Sequence, residues 1–248
     1  ISLSNNDSGT SNTIFGKSAG ASLDAGSNQN TFIGENVSDA SMNDALGNTV
    51  VGYSAGSAIT TSDYNTILGR NAGLLLSTGA SNVMVGNGAG ATTVDVDNSV
   101  LIGLHAGGGA TITAAADGTV AIGSSALSSL TSGLGNIAIG YTAASSITTG
   151  AYNIAIGYGA FNAADGGEAD NVLIGYEAAG SADDGSFAKN IGLGNYVYDG
   201  VAAGVDLTQC VAIGHEAMSG ALLDAADNNT AVGYRAGYTL TGGYSNVA

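Results

Sequence analysis

The stretch NTVVGYSAG, residues 48–56, recurs with small changes along the whole chain. Near-copies read NTIFGKSAG from Asn12, NTILGRNAG from Asn65, NIAIGYTAA from Asn136 and NTAVGYRAG from Asn229. Self-similarity at a period of about 20 residues predicts an array of small units, each of which buries its apolar side chains only against its neighbours. The repeat therefore decides the fold.

The copies align on their glycine, which we number position 0. Successive glycines lie 17 to 20 residues apart. We accordingly divide the chain into an N-terminal flank, residues 1–11, and a repeat array, residues 12–248, with 13 full repeats and one truncated repeat. The glycines at position 0 are Gly16, Gly34, Gly52, Gly69, Gly86, Gly103, Gly123, Gly140, Gly157, Gly175, Gly194, Gly214 and Gly233.

Two columns before the glycine predict a β-strand. Position −1 is always large and apolar, as in Phe15 and Ile139, and position −3 is always β-branched, as in Thr13 and Ile137. β-Branched residues fit a pleated strand better than a helix. Because side chains alternate along a strand, these two columns share one face, and we expect that face to be the core.

The columns after the strand predict a tight corner. Position +3 is Ala in 11 of the 13 full repeats, with Val37 and Val197 as the exceptions. Columns of Gly and Ala indicate that two backbones approach closely, and Gly also permits the positive φ of a corner. We expect a short second strand around the Ala, followed by a variable arc.

Position −4 is Asn in 11 of 14 copies. Stacked Asn side chains can form a ladder of amide hydrogen bonds from coil to coil. Alternatively, Asn occurs there because it tolerates a turn conformation. In either case, identical columns at a fixed corner predict an all-β protein, a parallel β-solenoid (β-roll or β-helix) of about 13 coils spaced ~4.8 Å apart.

Position −2 suggests an interface between chains. On the predicted strand it points away from the −1 and −3 columns, yet it is apolar in the first six coils. A continuous exposed apolar stripe marks an interface, and such interfaces usually close by rotational symmetry. The alternative is that the variable arc covers this face within one chain. The predicted interchain residues are Ile14, Phe32, Val50, Ile67, Met84 and Leu101.

Composition excludes several classes of function. The formal charge of −16, from 4 Lys and Arg against 20 Asp and Glu, disfavours nucleic acid and anionic membrane surfaces as partners. No apolar run approaches the roughly 20 residues of a spanning helix, so we expect no membrane insertion. Few Lys and Arg leave few cleavage sites for trypsin-like proteases, which suits an extracellular or virion-surface location.

The repeats resemble those of two families of surface fibre. The pattern N-[TV]-x-[IV]-G-Y-x-A-G with a following TTG-like loop, as in residues 135–160 and 228–248, resembles the repeats of tailed-phage tail fibres. It is also similar to the β-roll heads of trimeric autotransporter adhesins, whose repeats read like NSVAIG, although the period here is longer. Both resemblances imply a rigid homotrimeric stalk or head.

Candidate catalytic residues are few. His105 and His215 each follow a motif glycine on different coils, and Cys210 occupies the Asn column. Neither a nucleophile with an orienting base nor a metal-binding motif is recognisable. A glycan-cleaving tailspike would need paired carboxylates, and the motif offers only Glu35, Glu177 and Glu216. We therefore expect no enzyme activity, no catalytic residue, no bound metal and no cofactor.

Tyrosines recur just after the glycine. Aromatic faces can pack against sugar rings, and host glycans are the usual targets of such fibres. Alternatively, tyrosines on successive coils stack on one another. The candidate contact residues for a glycan or receptor are Tyr53, Tyr141, Tyr158, Tyr176 and Tyr234.

These patterns predict a structural, non-enzymatic segment of a phage tail fibre or similar surface adhesin, acting in host attachment. Its main partner would be itself, as a homotrimer, with host-surface glycans as a further partner. An alternative is the subunit of an extracellular filament that assembles head to tail, because the final SNVA and the initial Ile1-Ser2 would together nearly rebuild a motif strand.

Overall fold

The computed structural model describes residues 3–4, 9–182, 186–201, 205–220, 226–240 and 243–248. The chain divides into two compact units, Ile1–Thr119 and Val120–Ala248. Each unit is an all-β parallel solenoid, which confirms the predicted fold class. The truncated repeat adds an isolated parallel bridge between Thr230 and Val247.

Unit 1 contains six motif strands that pair in parallel, each with the next along the chain. The short β1 pairs antiparallel with β2, placing Leu3 opposite Phe15. A 3-10 turn at Ala114–Ala116 follows the last strand. The strands are β1 (Leu3–Ser4), β2 (Thr13–Phe15), β3 (Thr31–Ile33), β4 (Thr49–Val51), β5 (Thr66–Leu68), β6 (Val83–Val85) and β7 (Val100–Ile102).

Unit 2 contains seven motif strands, again parallel and in register. A second, two-stranded parallel sheet joins β12 to β14. The strands are β8 (Val120–Ile122), β9 (Ile137–Ile139), β10 (Ile154–Ile156), β11 (Val172–Ile174), β12 (Phe187–Ala188), β13 (Ile191–Leu193), β14 (Leu207–Thr208), β15 (Val211–Ile213) and β16 (Thr230–Val232).

Each motif strand ends at the glycine of position 0, because the corner there requires a positive φ and a close approach of two backbones, as predicted. At position 0 the backbone φ lies between 134° and 149°, a region that side chains disfavour. A Cβ added to Gly157 would overlap the carbonyl oxygen of Gly175 on the next coil. The predicted second strand around Ala is wrong, because the residues after the glycine form turns. Residues at position +2, such as Ser18 and Thr142, adopt left-handed φ there and turn the chain sharply.

The two faces of the motif strand are the reverse of the prediction. Position −2 is buried and positions −1 and −3 are not, as in β2, where Ile14 is buried and Phe15 is 45% exposed. The six predicted interchain residues therefore lie inside the solenoid of their own chain. They are Ile14, Phe32, Val50, Ile67, Met84 and Leu101.

The physical reason is volume compensation between position −2 and position +4. A Cβ added at Gly107, position +4, would meet Leu101 at position −2 of the same coil at 3.0 Å. Where position −2 shrinks to Ala121, position +4 is the fully buried Leu127. Two columns that exchange volume in this way must share one closed core. The Ala column at position +3 and aliphatic residues at position +7, such as Ile59, complete that core.

The Asn column forms the predicted hydrogen-bonded ladder. Asn48 Nδ2 donates to Asn30 Oδ1 at 3.1 Å, and Asn65 Nδ2 donates to Asn48 Oδ1 at 3.0 Å. In unit 2, Asn171 Nδ2 donates to Asn153 Oδ1 at 3.0 Å. Each amide also donates to a backbone carbonyl, as Asn48 does to Ser62 O at 2.7 Å. The ladder satisfies polar groups in the core, which would be costly to leave unpaired.

Candidate functional site

Positions −1 and −3 form a surface that we call the outward face. All its members are exposed or half-buried, and all are Phe, Ile, Leu, Val or Thr. In unit 1 they are Thr13, Phe15, Thr31, Ile33, Thr49, Val51, Thr66, Leu68, Val83, Val85, Val100 and Ile102. In unit 2 they are Val120, Ile122, Ile137, Ile139, Ile154, Ile156, Val172, Ile174, Ile191, Leu193, Val211, Ile213, Thr230 and Val232.

Register makes the outward face continuous within each unit. Ile156 pairs with Ile139 on one side and with Ile174 on the other, so like residues stand side by side. Seven strands at ~4.8 Å spacing and three residues at ~3.3 Å rise give a flat surface of roughly 330 Å² in unit 2. The largest apolar patch on a typical monomer covers about 300–600 Å² and is often functional, so the outward face of unit 2 is a candidate interaction surface.

A second surface is a row of aromatic rings in unit 2. We call it the aromatic row, and its members are Tyr141, Tyr158, Tyr176, Tyr196, His215 and Tyr234. The centroids of Tyr141 and Tyr158 are 5.1 Å apart and those of Tyr158 and Tyr176 are 5.2 Å apart, with the rings stacked. Tyr196 makes edge contacts with both Tyr176 and His215.

The structure brings four of the five candidate tyrosines into this row. Because Tyr158 stacks between Tyr141 and Tyr176, both of its faces are covered by neighbouring rings. A hydrogen bond with Glu177 raises the pKa of Tyr176 above its ordinary value. Tyr53 lies in unit 1, where the guanidinium of Arg70 stands over its ring at 5.8 Å. All five are exposed.

A surface groove of about 400 Å³ lies beside the C-terminal end of the aromatic row. It crosses three successive coils at positions +1, +2 and +5, which the left-handed corner residues Tyr196, Glu216 and Arg235 bring together. Sequence analysis missed this groove because the residue type at each of these positions changes from coil to coil. They include Tyr196, Asp199, Glu216, Tyr234, Arg235 and Tyr238.

The groove brings several charged and aromatic groups close together. Arg235 Nε lies 3.0 Å from Glu216 Oε2, and its guanidinium stands 3.9 Å above the ring of Tyr238. His215 Nδ1 lies 3.6 Å from the other oxygen of Glu216. Burial raises the pKa of Asp199, whose Oδ1 accepts a hydrogen bond from the Ser181 hydroxyl at 3.2 Å.

Three residues that were considered as catalytic candidates contact neighbouring groups of the solenoid. Cys210 is buried in the Asn ladder, where its Sγ donates to Ala226 O at 3.1 Å, and burial raises the pKa of its thiol. A thiol held in its neutral form is a poor nucleophile. His215 belongs to the aromatic row, and Glu35 pairs with Lys17 at 3.3 Å.

Among the described residues, no group of three or more His, Cys, Asp or Glu could hold a metal ion. In the same part of the chain, no helix has the length and apolarity needed to cross a bilayer. Comparisons with protein-family models, curated proteins and solved structures gave no match to this chain.

Proposed function

We propose that this chain is a structural, non-enzymatic segment of a surface fibre, of the kind found in phage tail fibres and trimeric adhesins. In this proposal it works outside the cell or on a virion, assembles with two identical copies and contributes to attachment at a host surface. The observation that carries the proposal is the outward face, a sheet surface of uncharged side chains that are exposed or half-buried in the part of the chain that the structure describes.

A second copy is the partner that best fits the outward face. The face repeats the same two columns at the spacing of the strands, so an identical surface offers a matching pattern of ridges. Two such sheets pack face to face about 10 Å apart, with alternating side chains filling the layer between them. A charged or irregular partner would lack this match. The number of three copies comes from the resemblance of the repeats to trimeric fibres.

The outward face replaces the interface predicted from the sequence. Self-association was inferred from an apolar stripe at position −2, and those residues fill the core instead. The argument now applies to positions −1 and −3, because position −1 is apolar in every full repeat and position −3 is Thr, Val or Ile. The role in attachment remains a proposal that is supported by the exposed tyrosines and by the resemblance.

The head-to-tail filament is the less favoured alternative. A coil added before β2 would have to pair with the edge of β2 that faces away from β3. In this structure β1 already pairs with that edge, placing Ser4 opposite Ile14. Assembly at this edge would require β1 to leave. Edge strands that are covered in this way resist pairing with other chains.

Sedimentation equilibrium tests the assembly. We expect wild type to sediment as a trimer at about micromolar concentration, which corresponds to a dissociation constant below about 1 μM. Ile174→Glu and Ile213→Glu, each made alone at residues that are 38% and 37% exposed, would each bury a charge in the interface and dissociate it. The control Leu134→Glu introduces the same charge at a residue of an arc that is 42% exposed, and should leave the trimer intact.

A wild-type monomer would remove the proposed assembly. A dimer that the Ile174→Glu and Ile213→Glu changes dissociate would keep the interface and exclude the trimer. Equal dissociation by Leu134→Glu would show that added charge, rather than the outward face, controls association.

A further inference from the structure

The outward face of unit 1 is bounded by two corners of the chain. In the coil of β5, left-handed backbone at Tyr64, with a φ of 57°, turns the chain into the strand, and left-handed backbone at Asn71, with a φ of 55°, follows its end. Position −6 lies just before the first corner and position +1 lies at the second. The three-residue strand between them is about 10 Å long. Residues at −6 and +1 therefore flank opposite edges of the outward face.

The charged residues at these two edges match coil by coil. Among the six coils of unit 1, position −6 is Asp only in the coils of β5 and β7, at Asp63 and Asp97. These are also the coils that carry Arg70 at position +1 and His105 at position +2. The acidic residue of the +1 column, Glu35, lies on a coil whose −6 residue is neutral. Basic groups and Asp thus share a level, and no level has acids at both edges.

Within one chain, Arg70 and Asp63 do not pair with each other. They stand on opposite edges of the face, and among the described residues no ion pair contains either of them. The guanidinium of Arg70 stands over the ring of Tyr53 at 5.8 Å. By contrast, Lys17 at position +1 pairs with Glu35 of the next coil at 3.3 Å. Arg70 and Asp63 are therefore available to a partner.

The two Asp side chains are already oriented by the solenoid. Asp63 Oδ1 accepts a hydrogen bond from the backbone N–H of Leu46 on the preceding coil at 2.7 Å, and Asp97 Oδ1 accepts one from the N–H of Ala80 at 2.6 Å. This bond uses one oxygen, and the other can accept from a further donor. A carboxylate that is ordered before binding loses little conformational entropy when it pairs.

Rotational symmetry would bring these two edges together between copies. When identical chains close about an axis parallel to the solenoid, the outward faces meet and the +1 edge of each copy faces the −6 edge of the next, with no shift along the axis. Arg70 would then lie level with Asp63 of the next copy, and His105 with Asp97. In an antiparallel arrangement, the +1 edges would instead face each other, and these pairs could not form.

We propose that Arg70 of one copy forms an ion pair with Asp63 of the next copy, and that the imidazole N–H of His105 donates to Asp97 in the same way. These contacts set the parallel direction and the register of the assembly, while the apolar outward face supplies most of the affinity. Charges at the rim of an interface act in this way, because they penalise wrong orientations more than they strengthen the correct one. The inference deepens the assembly proposed above and rests on it.

Sedimentation equilibrium of charge variants tests the pairing. Arg70→Glu places a carboxylate level with Asp63 of the next copy, and we expect it to raise the dissociation constant at least about tenfold, or about 1.4 kcal/mol. Adding Asp63→Asn, which removes the charge and keeps an oxygen for the N–H of Leu46, should restore the dissociation constant to within about threefold of wild type. The matched control is Asn87→Glu, at position +1 of a coil whose −6 residue is Ala80, which should change it less than about twofold.

Zero-length cross-linking identifies the contact directly. A carbodiimide joins an amine to a carboxylate that touches it, and Arg70→Lys supplies an amine in place of the guanidinium. We expect covalent dimers and trimers on a denaturing gel, with residue 70 joined to Asp63 in the peptide mass spectrum. Asn87→Lys, in the same column, should give no more product than wild type. This measurement leaves Asp63 intact, so it does not depend on the folding of Asp63→Asn.

Three results would overturn the pairing while wild type remains an oligomer: an unchanged dissociation constant in Arg70→Glu, no recovery on adding Asp63→Asn, or a cross-link from residue 70 to a carboxylate other than Asp63. A monomeric wild type would remove the proposed assembly as well. Thermal melts of each variant verify that it is folded. Leu134, a −6 residue of unit 2, shares its level with Tyr141 rather than with a charge, so Leu134→Glu stays a suitable control for the assembly.

Discussion

The exchange of volume between positions −2 and +4 can be tested by moving a side chain across the core of one coil. Leu101 is fully buried at position −2, and Gly107 faces it at position +4 with a φ of 55°. In the coil of Ala121 the arrangement is reversed, with Leu127 at position +4 and a φ of 49°. The double change Leu101→Ala with Gly107→Leu would give the first coil the arrangement of the second.

Each single change should be costly. Leu101→Ala leaves a cavity and should lower the free energy of unfolding by about 3–4 kcal/mol. Gly107→Leu places its Cβ 3.0 Å from Leu101 and 3.1 Å from Ile112. Overpacking of this kind costs about 1–3 kcal/mol, and the left-handed backbone adds about 1 kcal/mol. If the two effects were independent, the double variant would lose about 5–8 kcal/mol.

The double variant should instead lose only about 1–2 kcal/mol, because the new Leu fills the cavity and only the backbone cost remains. The coupling energy is then about 3–7 kcal/mol in favour of the pair. Urea unfolding followed by circular dichroism, at one fixed protein concentration, measures all four proteins of the cycle.

A mismatched pair is the control for this cycle. Gly56→Leu would meet Val50 and Ile59 rather than Leu101. Combined with Leu101→Ala, it should therefore give an additive loss. If the matched and mismatched double variants lose the same free energy, columns −2 and +4 do not share one core volume, and the explanation given for the buried face is refuted.

Three further predictions concern the ladder and the glycine column. Asn153→Ala removes hydrogen bonds to Asn136 Oδ1 at 3.1 Å, to Glu168 O at 2.7 Å and from Asn171 Nδ2 at 3.0 Å. It should lower the free energy of unfolding in urea by about 3–5 kcal/mol. The control is Asn43→Ala, a change at an exposed Asn, which should lower it by less than about 0.5 kcal/mol. Cys210→Asn would restore the amide ladder and should raise the free energy of unfolding by about 1 kcal/mol. Burial raises the pKa of the Cys210 thiol above its ordinary 9.0, so the thiol ionises in the unfolded chain first, and wild type should lose stability as pH rises above this value. Thermal melts of Cys210→Asn should show a smaller loss, because the buried Tyr198 hydroxyl, whose pKa burial also raises, still contributes at higher pH. Gly157→Ala would force a Cβ into the carbonyl of Gly175 and should cost more than about 3 kcal/mol, whereas at Gly167, which has a Thr149 hydroxyl at 3.9 Å as its nearest neighbour, the same change should be tolerated.

The period, the strand and the glycine corner could be predicted from the sequence because each is fixed by local chemistry that recurs. Gly157 and its equivalents exclude side chains at a close approach of two backbones, and Asn153 and its equivalents repeat because each amide bonds the next. A repeated requirement produces a column of one residue type, and columns are visible without a structure.

The direction of the strand faces could not be predicted from alternation alone. A three-residue strand with Ile, Ala and Ile, such as β10, is apolar on both sides, so a period of two does not show which side is the core. The inverse sizes of Leu101 and Gly107, and of Ala121 and Leu127, carry this information. A comparison of columns six residues apart would have identified the core face.

The groove was beyond sequence analysis for a different reason. It depends on left-handed backbone at Glu216 and Arg235, with φ of 55° and 54°. Outside glycine and asparagine, this conformation has little signature in residue type, since Ser18, Thr142 and Tyr196 share it. Which side chains of neighbouring coils meet at such a corner follows only from the coordinates.

The amide ladder has a direction. In each inter-coil bond of this kind, the later residue donates and the earlier one accepts, as Asn65 does to Asn48 and Asn171 does to Asn153. A coil that has already formed therefore presents an unoccupied acceptor oxygen to the segment that leaves the ribosome next. The polypeptide can wind in the order in which it is translated, with each coil that carries Asn at position −4 serving as a template for the next coil.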